Sequence, residues 1–199
     1  MKTVTNARHG IGSVAIGVAV IAVAAAAHAH KPAATTESAA STDADYVANM
    51  MTAAPEVIVK GATIVTMSKD GKMVPIQKGT NEFTCMLVNG TPKSGHSMCA
   101  DKNAMEWVKA MSAHKAPPDK LGFMYGLNGD GGASNTDPYA TKPTPDNHWM
   151  NTGAHVIVLG PAAKTFGYTR APDADPTKPR MMWVGTPYEH AMIPVPPVK

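Results

Sequence analysis

The sequence predicts an α+β domain, with a mainly antiparallel β-sheet, one well-formed helix over residues 101–114 packed on it, and long irregular loops. Three observations support this prediction. Short β-branched and apolar runs recur along the chain, one segment carries apolar residues at helical spacing, and 17 Gly and 17 Pro residues supply turns between them. With 199 residues, 44% of them hydrophobic, the chain can form one ordinary domain with a buried core.

The first 29 residues have the features of a secretory signal peptide. Lys2 and Arg8 give a positive start, residues 11–27 carry no charge, and small alanines precede a cleavage site after Ala29. We therefore expect a periplasmic or secreted protein. The alternative is a retained membrane anchor, but the apolar run is shorter and richer in alanine than the roughly 20 apolar residues of a spanning helix. No later stretch predicts a transmembrane segment.

The charge balance excludes one class of partner. Without Lys2 and Arg8, the chain has 16 basic residues against 15 acidic residues. A nucleic-acid-binding protein needs a basic patch or stripe to neutralise phosphates. We therefore expect no nucleic-acid partner.

The mature chain divides into a linker and one domain. Residues 30–43 are rich in Ala, Thr and Ser, which predicts a flexible linker. Residues 44–199 are expected to form the single globular domain. Asp43 or Asp45 is expected to cap a short helix that reaches Met51, and Pro55 ends it.

The strands are predicted from apolar and β-branched runs. An Asp70–Gly71 turn separates the second run from the third, and Pro75 marks the third as an edge strand. Phe83, Cys85 and Leu87 are expected to share one face. The predicted strands cover residues 57–59, 62–67, 73–77, 83–88, 121–127, 155–159, 181–184 and 190–195.

The predicted helix is the strongest local signal. Asp101 is placed to cap it, and Ala104, Trp107, Val108 and Met111 form an apolar stripe. Long loops rich in Gly, Pro and polar residues follow over 128–153 and 161–180.

Cys85 and Cys99 are the two cysteines of the chain. Two cysteines in an exported domain predict one structural disulfide, and we expect it to join a strand end to the start of the helix. A redox CxxC motif is absent. A zinc site completed by His96 and a pair of free buried thiols are the alternatives.

Several motifs resemble a family of secreted or periplasmic bacterial proteins that is itself uncharacterised. The resemblance covers roughly residues 50–195 and implies export, but it implies no activity and no cofactor. The motifs lie at residues 79–85, 98–101, 114–118, 132–141, 146–149, 152–156 and 182–190.

The polar loop at 128–153 is the first candidate site. Oxygen-bearing side chains in one loop suit Ca²⁺, but their spacing is not that of an EF-hand. The favoured alternative is that these side chains hold the turns of their own backbone. The candidates are Asp130, Ser134, Asn135, Asp137 and Asp146.

Histidines and methionines form the second candidate site. His155 and His190 lie on predicted strands, and His114 or His148 would complete a zinc or copper site with Met192. Thioether and imidazole ligands together suit Cu(I). The favoured alternative is that the strand histidines are hydrogen-bonded core residues and that methionine fills the core.

No complete catalytic motif is present. Ser134 and Asn135 with His155 and Asp146, or Glu189 with His190, are the only combinations that suggest acid–base or nucleophilic chemistry. We therefore expect an exported, non-enzymatic binding or structural domain with an envelope partner or a small ligand. The alternatives are a copper or zinc protein and an enzyme with Asp146 and His148 at its site.

Overall fold

A computed structural model describes the backbone of residues 36–196 and the side chains of residues 43–196. The predicted signal peptide and the start of the predicted linker lie outside this range. In chain order the elements are α1 (Thr36–Met50), α2 (Glu56–Val59), β1 (Thr63–Met67), β2 (Met73–Gln77), β3 (Thr84–Asn89), β4 (His96–Ala100), α3 (Lys102–Ser112), β5 (Gly122–Gly126), β6 (Ala133–Ser134), β7 (Trp149–Met150), β8 (His155–Leu159), a 3-10 helix (Pro161–Thr165), β9 (Arg180–Met182) and β10 (His190–Pro194).

Eight strands form one large sheet in the order β2-β1-β3-β4-β5-β8-β10-β9. Every neighbouring pair is antiparallel except β1 and β3, which are parallel. β6 and β7 form a small separate ladder. The predicted mainly antiparallel sheet is therefore confirmed, and the broad α+β class fits. The expectation of one well-formed helix is corrected, because the described residues form three α-helices.

The two helices before the sheet differ from the prediction. Helix α1 begins at Thr36, inside the predicted linker and before Asp43. Residues 57–59, predicted as a strand, lie in helix α2. Pro55 starts this helix with a φ of −53°, and its carbonyl accepts hydrogen bonds from the backbone N–H groups of Ile58 and Val59. The β-branched run is therefore helical in spite of its strand preference, which is a weak prior that tertiary context can override.

Strand β4 was not predicted, and it changes the place of the disulfide. Cys85 on β3 lies directly opposite Cys99 on β4, and the two are joined in a buried disulfide. The predicted bridge is confirmed, but it joins two neighbouring strands rather than a strand end and a helix start.

The edge strand and the main helix agree with the prediction. β2 is an edge strand, Pro75 lies within it, and Gly71 adopts a φ of +76° in the preceding turn. The Asp101 side chain caps α3 by accepting a hydrogen bond from the Ala104 N–H at 2.7 Å.

The large sheet carries a core on each face. On one face, residues of α1 and α2 pack against Ile64 and the disulfide. On the other face, Trp107 of α3 packs against side chains of β3, β4, β5, β8, β9 and β10. Gly122 allows this close approach, because a Cβ there would lie 2.6 Å from the backbone nitrogen of Ala104. None of the described helices is long and apolar enough to cross a membrane.

Candidate functional site

The four predicted metal-binding histidines lie in different environments. His114 and His148 are exposed in left-handed backbone conformations, and the His114 ring stacks on Tyr139 at 4.2 Å. His155 and His190 are buried on strands β8 and β10. Within residues 43–196, no group of three or more His, Cys, Asp or Glu side chains is placed to hold a metal ion. The structure therefore does not bring these histidines together.

His155 and His190 share one face of the sheet but lie well apart. His155 is opposite Pro194, and the antiparallel register places His190 four residues further along β10. At about 3.3 Å per residue, the two Cα atoms are roughly 13 Å apart. Met192, between them in register, lies nearer to His190.

His155 has the features of a core histidine. Its side chain is fully buried, and Nδ1 is 2.7 Å from the Gly153 carbonyl oxygen. Nε2 has no hydrogen-bond partner. Burial lowers the pKa of His155 below its ordinary value, so the ring is neutral near pH 7.

Asp130 anchors the long polar loop from inside the protein. Its Oδ1 accepts hydrogen bonds from the backbone N–H groups of Gly132 at 2.9 Å and Thr152 at 3.0 Å. The fully buried Arg180 donates to the Thr152 hydroxyl at 2.7 Å. Burial lowers the pKa of Arg180, and the Asp130 carboxylate opposes that shift. Thr152 therefore links a buried carboxylate to a buried guanidinium.

Three of the other loop candidates hydrogen-bond to backbone groups. Ser134 donates to the Asn147 carbonyl at 2.6 Å and accepts from the Asp137 N–H at 2.8 Å. Asp137 accepts from the Tyr139 N–H at 2.8 Å, and Asn135 donates to a backbone carbonyl of the next loop at 3.0 Å. The bonds of Ser134 to the Asp137 N–H and of Asp137 to the Tyr139 N–H are local and hold turns. The bonds to the Asn147 and Pro172 carbonyls span 13 and 37 residues and tie the loop to distant segments.

The carboxylate–histidine combinations are not formed. Asp146 and His148 are both exposed. Glu189 pairs with Arg170 and accepts the Gly185 N–H at 3.1 Å. His190 instead bonds the Tyr188 carbonyl through Nδ1 at 2.9 Å. Glu189 therefore has a structural partner of its own and does not orient the His190 ring.

A cavity of about 250 Å³ lies between α3 and the central strands, on the face that carries His190. Its wall is almost wholly apolar. The polar residues of the lining are His190, Asp130 and Asn89. Two tryptophans, Trp107 and Trp183, contribute to the wall, and the methionines that line it are Met86, Met98, Met111, Met124, Met182 and Met192.

The sheet register explains this concentration of thioethers. Met86 lies opposite Met98 across β3 and β4, and Met124 lies opposite Ile157 across β5 and β8. Met192 continues that row on β10. Because paired residues in a sheet point to the same side, alternate positions on five strands place methionine in one cavity. The sequence offered one partial signal, because Met86, Met124, Met182 and Met192 each fall within a predicted strand.

His190 is the polar residue of the cavity wall whose ring is held by two tryptophans. It is 3% exposed, and its ring stands edge-on to Trp183 with centroids 4.8 Å apart and to Trp107 at 5.8 Å. Burial lowers the pKa of His190 to about 4, so the imidazole is neutral near pH 7. The bond from Nδ1 to a carbonyl oxygen requires the proton on Nδ1, which leaves Nε2 with a free lone pair.

No family model, curated protein or solved structure matches this chain. The resemblance to exported bacterial proteins therefore stays a prediction. The cavity with its methionines and His190 is the candidate functional site.

Proposed function

We propose that this protein is an exported, non-enzymatic binding domain and that its site is the methionine-lined cavity. The observation that carries the proposal is the cavity itself, an apolar space of about 250 Å³ with a few polar groups in its wall. A largely apolar pocket with a few placed polar groups is the usual form of a small-molecule site.

The size of the cavity supports a small ligand. Protein interiors are close-packed, and voids larger than a water molecule are few in each domain. An engineered apolar cavity of about 150 Å³ stays dry and binds benzene. Pockets for drug-sized ligands have volumes of about 300 Å³ or more. The present cavity falls between these two sizes. Methionine suits such a wall because it is flexible and its sulfur is polarisable.

Two features support export. Residues 1–29 have the pattern of a signal peptide. The Cys85–Cys99 disulfide is of the kind that persists in oxidising compartments and is rare in the cytosol. The domain therefore meets its ligand outside the cytoplasm.

Binding of toluene to the purified mature protein tests this proposal. Toluene is small, neutral and apolar, and tryptophan fluorescence reports its entry because Trp107 and Trp183 line the cavity. Ala133 also lines the cavity, so Ala133→Leu fills part of the space. We expect saturable toluene binding to the wild type and at least about tenfold weaker binding to this variant, a difference of about 1.4 kcal/mol.

The matched control is Ala162→Leu, the same substitution at an exposed position of the 3-10 helix. It should bind toluene as the wild type does. Circular dichroism must show that both variants are folded. Absence of binding to the folded wild type, or equal binding by the Ala133→Leu variant, would refute the cavity as a binding site.

A further inference from the structure

Three soft or borderline donors lie next to one another in the cavity wall. His190 on β10 is directly opposite Met182 on β9, and Met192 is two positions further along β10 on the same face. Directly opposed residues have Cβ atoms about 4.5–5.5 Å apart, and positions two apart on one strand are separated by about 6.7 Å. All three side chains line the cavity. They are therefore close enough for their donor atoms to meet around one ion.

The hydrogen bond of His190 prepares its ring for this role. Metal-ligating histidines almost always donate their other ring N–H to a carboxylate, a backbone carbonyl or water, which fixes the tautomer and the orientation of the ring. Nδ1 of His190 makes such a bond to the Tyr188 carbonyl, and the contacts with Trp107 and Trp183 hold the ring from the side. Nε2 makes no hydrogen bond within the described residues.

We propose that the cavity binds Cu(I) through Nε2 of His190 and the thioether sulfurs of Met182 and Met192. This inference rests on the proposed function, because it names the ligand of the same cavity. Four further methionines line the same cavity.

The donor set selects among metal ions. Thioethers are soft ligands and favour Cu(I), whereas Ca²⁺ and Mg²⁺ require hard oxygen ligands. Structural zinc sites use four ligands drawn mainly from cysteine and histidine, and the described residues form no cluster of that kind. An apolar cavity also favours an ion of low charge, because burying a charge in a low-dielectric medium is costly. These points favour Cu(I) over Zn²⁺ and Cu²⁺.

Anaerobic titration with Cu(I) tests the inference. The mature protein with its disulfide intact competes with the chelator bicinchoninate for Cu(I), and the colour of the chelate reports free metal. We expect one Cu(I) per chain and quenching of tryptophan fluorescence, because the His190 ring lies 4.8 Å from that of Trp183. In the Met182→Leu/Met192→Leu double variant, we expect the Cu(I) affinity to fall at least about 100-fold.

The matched control is Met181→Leu. Met181 is as buried as Met182 and adjacent to it, but it lies on the opposite face of β9, in the core beneath the 3-10 helix. Met→Leu is close to volume-conserving, so all these variants should fold. Met181→Leu should leave the Cu(I) affinity unchanged. His190→Asn should weaken Cu(I) binding, and a folded His190→Asn variant that binds as the wild type does would contradict the assignment of Nε2.

The two proposals fail in different ways. If the folded wild type binds toluene but no Cu(I), the metal inference is wrong and the binding domain stands. The metal inference is also wrong if the double variant binds Cu(I) as the wild type does, or if Zn²⁺ binds more tightly than Cu(I). If Ala133→Leu leaves toluene binding unchanged and the folded wild type also binds no Cu(I), the proposed function fails as well.

Discussion

At the scale of single residues, the imidazole ring of His155 leaves room only for glycine at position 126. Gly126 on β5 lies opposite His155 on β8, and the imidazole fills the space that a side chain at Gly126 would occupy. A Cβ at this position would lie 2.9 Å from Nε2 of His155. His155 is fully buried, so the ring cannot move aside into solvent. The glycine is therefore required by packing rather than by backbone conformation.

Gly126→Ala is expected to destabilise the protein by about 1–3 kcal/mol, because overpacking of a close-packed core forces side chains or backbone to shift. Urea unfolding of the disulfide-intact protein measures this change in the free energy of unfolding. The control is Gly153→Ala, where a new Cβ has no atom within 4 Å. If both substitutions changed the free energy equally, contact with His155 could not be the cause.

At the scale of elements, the disulfide cross-links two strands near the centre of the sheet. Strands β3 and β4 are neighbours in the sheet, and the disulfide joins a directly opposed pair on them. Both cysteines pack with residues of α1 and α2 in the core of that face. The bridge therefore links the strands at the point where the helices cover them.

Loss of the Cys85–Cys99 bridge is expected to lower the free energy of unfolding by about 3 kcal/mol, because a loop of about 15 residues is no longer closed in the unfolded state. Urea unfolding of the Cys85→Ala/Cys99→Ala variant measures this loss. Wild-type protein reduced with dithiothreitol keeps both sulfur atoms and separates the cross-link from packing. Coincident unfolding of the reduced and oxidised wild type would show that the bridge adds no stability.

The elements that were predicted are those with a strong local signal. Helix α3 has a capping Asp101 and an apolar stripe, and β8 is a continuous apolar run. Strand β4 carries no β-branched residue, and its state follows from hydrogen bonding to β3 and β5 on either side. That pairing is a property of the assembled sheet. Because β4 was not predicted, the disulfide was expected to reach the start of the helix rather than a neighbouring strand.

At the scale of the whole molecule, the cavity arises from pairing between distant parts of the chain. Its methionines come from α3 and from strands β3 to β5, β9 and β10, separated by up to about a hundred positions in the sequence. The face of each strand methionine is predictable from alternation once the strand is known. The order of the strands is not encoded in any local pattern, so the meeting of Met86, Met124 and Met192 was not predictable. The exposure of His114 and His148 likewise depends on loop geometry.

The two buried histidines predict a pH-dependent stability of the metal-free protein. Burial lowers the pKa of His155, and it lowers the pKa of His190 from 6.5 to about 4. Between these values the unfolded chain binds protons that the folded protein does not, so the free energy of unfolding falls as the pH falls. Above about pH 6.5 the two neutral histidines do not reduce the free energy of unfolding. As the pH approaches 4, His190 alone lowers this free energy by about 3 kcal/mol. The exposed carboxylates in ion pairs also have lowered pKa values, so their contribution to stability is lost only as the pH falls through their unfolded values of 4.5 for Glu and 3.8 for Asp, at the acid end of this range. Urea midpoints at pH 7.5, 6.5, 5.5 and 4.5 measure the slope, and His155→Asn should make it shallower between pH 6.5 and 5.5. A wild-type midpoint that stays constant from pH 7.5 to 4.5 would mean that these histidines are protonated as readily in the folded protein as in the unfolded chain.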